Sequence, residues 1–134
     1  LFMCGVIWVV QRVHYPAFVY VDREKFLSFE QFHTRRISQI VMPWMLLEVG
    51  SALALLFVLP RSLLLWLNLG LLALTWAVTF FWSVRCHRQL AEEYQQRTVH
   101  SLLQSNWWRT LVWTIRAVIL SVFGWSELLL RARF

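Results

Sequence analysis

Cysteine, glycine and acidic side chains are scarce in this chain, and each scarcity closes off a class of function. Two cysteines, Cys4 and Cys86, are all that 134 residues hold. They are too far apart in sequence for a CxxC-type metal site, and a disulfide between them is not expected. Both read as small apolar fillers. The four glycines are scattered, which removes a phosphate-cradling loop and a dinucleotide fingerprint, and neither a nucleophile elbow nor an HExxH zinc motif is present. Hydrolase and nucleotide-binding functions lose their basis. No internal repeat and no low-complexity linker interrupts the chain, so residues 1–134 read as one domain and an inverted-repeat transporter is disfavoured.

Apolar side chains are abundant: 59% of the residues are hydrophobic and the mean hydropathy is +0.55. A soluble domain averages closer to half apolar. The apolar residues are grouped, and Ile37–Leu59 and Leu63–Val84 would each rise roughly 33–35 Å as helix, enough for a hydrocarbon core of about 30 Å. Residues 107–128 form a further span, weakened by Arg109 and Arg116. Leu1–Val13 reads as the tail of another, its beginning processed or absent, and lacks the basic n-region and small-residue cleavage site of a signal peptide. The expected spans are thus about 1–14, 37–59, 63–84 and 107–128. The predicted fold is an all-α, four-helix transmembrane bundle with an interfacial helix between the third and fourth spans.

Seven acidic residues against thirteen basic ones give a net charge of +6. The basic residues flank apolar spans, which points to membrane topology and away from nucleic acid. Arg12, Arg23, Lys25, Arg35 and Arg36 fall between the first two spans, Arg85, Arg88 and Arg97 between the last two, and the turn at Pro60-Arg61 holds one; Arg131 and Arg133 lie near the C-terminus. By the positive-inside rule, segments 15–36 and 85–106 are cytoplasmic. Of the nine tryptophans, Trp107, Trp108 and Trp125 suit the interfacial belts at the ends of a span.

Local signals divide the chain further. His14-Tyr15-Pro16 ends the first helix, because proline disfavours helix in the residue before it. Asp22 offers an N-cap with Glu24 in the first turn, and the helix starting there runs into the second span. Phe26, Phe29 and Phe32 would form an aromatic face. Pro43 is expected to kink the helix one turn before Glu48. Gly50 and Ala54 would admit a close neighbouring helix, Ser62 would cap the next helix, and a cap near Ser105 or Asn106 would start the last.

Two opposite charges lie deep in apolar spans. A charge at bilayer depth costs roughly 2.5–3.5 kcal/mol on insertion scales, so Glu48 and Arg116 should face the bundle interior and find partners. Asn106, Arg109, Trp113 and Arg116 follow spacings of three, four and three along one helical stripe. Arg116 lies roughly 15 Å in from Asn106 and Glu48 roughly 16 Å in from Ile37, depths that make an ion pair reasonable. Such a pair either fixes helix register or serves a proton, an anion or an amphiphilic ligand. His14, His33 and His87 each sit near the end of a different span; converging, they would suit zinc, copper or iron, and two of them a haem. Glu48 would stay outside that group, roughly 22 Å along its helix from His33.

The pattern His14-Tyr15-Pro16, His33, Ile40-Val41, Pro43, Met45, Glu48, His87, Leu90, Asn106-Trp107, Arg109-Thr110, Trp113 and Arg116 resembles that of a group of small uncharacterised bacterial four-helix integral membrane proteins. More loosely, it is similar to the anthrone-oxygenase-like membrane family. The latter resemblance implies an oxygenase acting on an aromatic, polyketide-like substrate without a tightly bound cofactor, with His14, His33, His87, Asn106, Arg109 and Arg116 as site residues. From the residues themselves the first expectation is a non-enzymatic membrane component. It would be an accessory subunit packed on other membrane subunits, or a binder of a pigment, a quinone or a lipid, with metal or haem the lesser cofactor choice. The alternative is the oxygenase-like enzyme with its His/Arg cluster.

Overall fold

The computed structural model describes residues 1–60 and 62–132. Arg61 and Arg133, two of the basic residues weighed for orientation, lie outside the described residues, as do the side chains of Glu127, Leu130 and Arg131. Every element among the described residues is helical. Helix α1, Phe2–Val9, continues as a π-helical turn over Val10–His14 and a 3-10 turn over Pro16–Tyr20. Helix α2 is Arg23–Val58. Helix α3, Leu63–Val78, passes through a second π-helical turn, Thr79–Ser83, into α4, Val84–Glu92. Helix α5 is Gln96–Arg131. Three of these rods, Phe2–Tyr20, Arg23–Val58 and Leu63–Glu92, are long and apolar enough to cross a membrane.

Helix α5 packs against α1, α3 and α4, whereas α2 packs against α3 and α4 and reaches α5 only through side chains, with no Cα pair of those two helices within 8 Å. Large apolar side chains cover much of the outside, and polar groups share the interior with an apolar core. Phe57 is 90% exposed, Phe81 77% and Trp125 66%, while Asn106, Thr110, Arg116, Asn68 and Arg109 are buried. An outer surface of this kind is solvated by hydrocarbon at no cost, and the polar groups then satisfy one another inside.

Several local expectations are revised. Asp22 and Ser62 occupy N-cap positions, but neither side chain makes a capping hydrogen bond. Pro43 lies inside the continuous helix α2, where a kink of the kind expected would bend the rod without ending it. Phe26 is buried whereas Phe32 is 61% exposed: six residues advance a helix by about 600°, leaving the two on different faces. The true inward stripe is Phe26, Glu30 and His33, spaced four and three. Gly50 and Ala54 face outward, and a side chain at Gly50 would meet nothing. No separate interfacial helix stands between the last two rods. The polar stretch is divided between α4 and the first turns of α5, with the break at Glu93, whose backbone is extended. Ser105 and Asn106 lie inside α5, fully buried, and cap nothing. The segments expected as cytoplasmic loops are largely helical.

Candidate functional site

Three helices bring their polar residues to one end of the bundle. The π-helical turn after α1 delivers His14, and Pro16, which has no backbone donor, starts the tight turn that holds Tyr15 inward. Helix α2 contributes Glu30 and His33 one turn apart, and α4 contributes His87. His14 Nε2 and His33 Nδ1 share a hydrogen bond of 2.6 Å. His87 Nδ1 lies 2.5 Å from Glu30 Oε1, which also accepts from Thr34 Oγ1 at 3.1 Å. Tyr15 Oη and His87 Nε2 are 3.0 Å apart.

Hydrogen-bond logic assigns the protons. A carboxylate only accepts, so His87 donates from Nδ1 to Glu30, and its neutral Nε2 accepts from the Tyr15 hydroxyl. The result is a chain from Tyr15 through His87 to a carboxylate with no exposed surface. Glu30 Oε2 and His33 Nε2 are buried without a partner. Phe18 and Phe29 close over the imidazoles, with Phe18 edge-on to His33 at 5.2 Å between ring centres.

His14, His33 and His87 come together here, hydrogen-bonded to one another or to neighbours and not arranged around an ion. Among the described residues, no three His, Cys, Asp or Glu side chains are set to hold a metal ion. The 2.6 Å between His14 and His33 nitrogens is shorter than tetrahedral bonding to a zinc at about 2.0–2.1 Å would leave them. Glu30, the acid that organises this cluster, had not been singled out from the sequence. Its spacing of three before His33 and four after Phe26 was the available signal.

A second group lies deeper along α5, where Asn106, Arg109, Trp113 and Arg116 form one buried stripe. Arg116 Nη1 donates to Glu48 Oε2 at 2.8 Å and its Nε to Asn68 Oδ1 at 3.1 Å. Trp113 Nε1 donates to the same Glu48 oxygen at 2.9 Å. Glu48 thus bridges the gap between α2 and α5, away from the histidines. Asn106 Nδ2 donates to Gln11 Oε1 at 2.7 Å and ties α5 to the turn after α1. Asn106 is therefore a tether, apart from the histidine cluster.

Between these two groups, where α2 stands off from α5, is a cleft of about 540 Å³. Ile37, Val41, Met42, Met45, Phe80 and Val84 give it apolar lining, and Tyr15, Thr34, Ser38, Ser83, His87 and Arg109 are among the polar residues that share it. Arg109 is 6% exposed, reaches Ser83 Oγ only at 3.5 Å through Nη1, and leaves Nε buried with no acceptor. Its guanidinium carbon lies 5.3 Å from the centre of the Trp113 ring. Family models, curated proteins and solved structures give no match to this chain.

Proposed function

We propose that this protein is a multi-pass integral membrane protein that binds a lipophilic small molecule in the cleft between α2 and the α3–α4 rod. One observation carries the reading: a cleft of about 540 Å³, within the size range of small-molecule sites, whose lining combines apolar side chains of α2 and the α3–α4 rod with polar groups that include Tyr15, His87 and Arg109. Helix α5 then serves as the fourth span, its charges turned inward. By the distribution of Arg23, Lys25, Arg35, Arg36, Arg85, Arg88 and Arg97, the histidine end faces the cytoplasm. The cleft, lined there by Arg35 and Arg88, opens toward that leaflet.

Native extraction in a mild non-ionic detergent, followed by mass spectrometry of what co-purifies, tests the reading. Wild type should carry a lipophile in a fixed ratio, and Val41→Trp, which fills the cleft, should lose it while retaining its melting temperature. Equal retention by both proteins would place the lipophile elsewhere, on the general surface.

The oxygenase-like alternative, which the resemblance suggests, is favoured by the Tyr15–His87–Glu30 chain opening on the same cleft. In that reading the Tyr15 oxygen takes a proton from a bound phenolic or enolisable substrate and passes its own proton to His87, whose cation Glu30 stabilises. Tyr15→Phe should then abolish turnover of an anthrone-type substrate and leave its binding within about twofold.

A further inference from the structure

We propose that the ligand is a single-chain amphiphile with a carboxylate head, and that Arg109 is the residue that binds the head. This rests on the cleft being a lipophile site. It goes further by fixing the charge and shape of what enters.

The argument starts from two arginines on one stripe with unequal partners. Arg116 has a carboxylate at 2.8 Å and an amide oxygen at 3.1 Å, so its charge is neutralised within the fold. Arg109, two turns earlier and equally buried, has only neutral neighbours, the Ser83 hydroxyl at 3.5 Å, the Tyr15 hydroxyl and an aromatic face, and its Nε has no acceptor. No carboxylate among the described residues comes within 4 Å of it. A buried guanidinium cannot escape by losing its proton, so the site calls for an anion.

The lining agrees. Three arginines, Arg35, Arg88 and Arg109, and no acidic residue face the cleft. Glu30, the buried acid of the histidine cluster, does not line the cleft, and its Oε1 is taken by His87 and Thr34. One unpaired buried cation matches one negative charge, and a planar guanidinium fork matches a carboxylate in two parallel hydrogen bonds. The apolar walls and a volume of about 540 Å³ suit one alkyl chain, which sets aside two-chain phospholipids.

The experiment measures quenching of intrinsic tryptophan fluorescence, Trp113 being beside Arg109, in non-ionic detergent. Its probes are a brominated long-chain fatty acid, the methyl ester of that acid, and a brominated lysophosphatidic acid. Wild type should bind the acid at least about tenfold more tightly than the ester, as expected when a charge-assisted hydrogen bond is exchanged for a neutral one. Arg109→Gln should erase the difference and leave ester binding unchanged. Equal binding of acid and ester by wild type overturns the carboxylate assignment while leaving the lipophile site standing, and this comparison needs no variant that must fold. Tighter binding of the lysophosphatidic acid than of the fatty acid overturns it in favour of phosphate. Quenching by none of the three removes the lipophile site itself.

Discussion

Glu48 holds two donors at once, Arg116 Nη1 and Trp113 Nε1, on a single oxygen. Removing one partner of a buried ion pair costs about 3–5 kcal/mol, because the other charge stays buried, whereas replacing both with apolar residues of similar volume is often near neutral. Arg116→Met and Glu48→Leu should therefore each destabilise the protein strongly in mixed-micelle unfolding. The double variant should recover much of the loss, short of the roughly 1–3 kcal/mol for the orphaned Trp113 and Asn68 groups. Losses that simply add would show the two charges to be energetically independent. The inward stripe of α5 could be read from spacing alone, since lipid forbids its charges any other direction. Glu30 could not be read so easily: flanked by Phe29 and Gln31, it was lost behind a set of phenylalanines taken three apart, of which only Phe26 and Phe29 pack inward. The hydrogen bond from Arg116 to Asn68 depends on how α3 is set against α5, which periodicity along one helix does not encode.

At the scale of elements, two π-helical turns frame the site. One ends at His14, next to Tyr15, and the other ends at Ser83, four residues before His87. A π turn holds one residue more than an α turn, so it changes the direction in which everything after it points, and such turns are frequent at functional sites. Phe81, inside the second turn and 77% exposed, contributes little packing of its own. Deleting it should restore α-helical register, rotate α4 by about 100° relative to α3, and carry His87 off Glu30 and Tyr15. The expected result is near-wild-type helicity by circular dichroism with loss of fatty-acid binding; retained binding would mean the extra residue has no part in aiming the site. Apolar runs made the long rods legible, and α2 was readable as one helix from Asp22 onward. The π turns were not, because a one-residue change in helical pitch leaves no compositional mark. Nor was the break at Glu93, where no glycine or proline announces it. Thr98, Val99 and Leu102 bury the polar start of α5 against the histidine-end core, which is why composition alone reads it as part of an interfacial helix.

For the whole molecule, the question is which solvent the outer surface meets. In α3, Asn68 and Thr75 face inward with almost no exposure, while Leu74 is 46% exposed on the outer side, near the middle of the expected span 63–84. If that side met water, Leu74→Arg would be an ordinary surface change, shifting stability by no more than about 0.5 kcal/mol. If it meets hydrocarbon, an arginine near the centre of the span costs roughly 2.5–3.5 kcal/mol on insertion scales. The two solvents thus predict outcomes far enough apart to separate. In the proposed bilayer placement, Leu74→Arg lowers the fraction of Leu63–Glu92 inserted in a glycosylation-reporter assay by at least about tenfold, and the protein disappears from membranes washed with alkaline carbonate. A Leu74→Arg protein that stayed folded and monomeric in detergent-free buffer would reverse the assignment of solvent. The inward-turned polar groups would then need a different explanation, since only a hydrocarbon exterior makes burying them cheaper than leaving them outside.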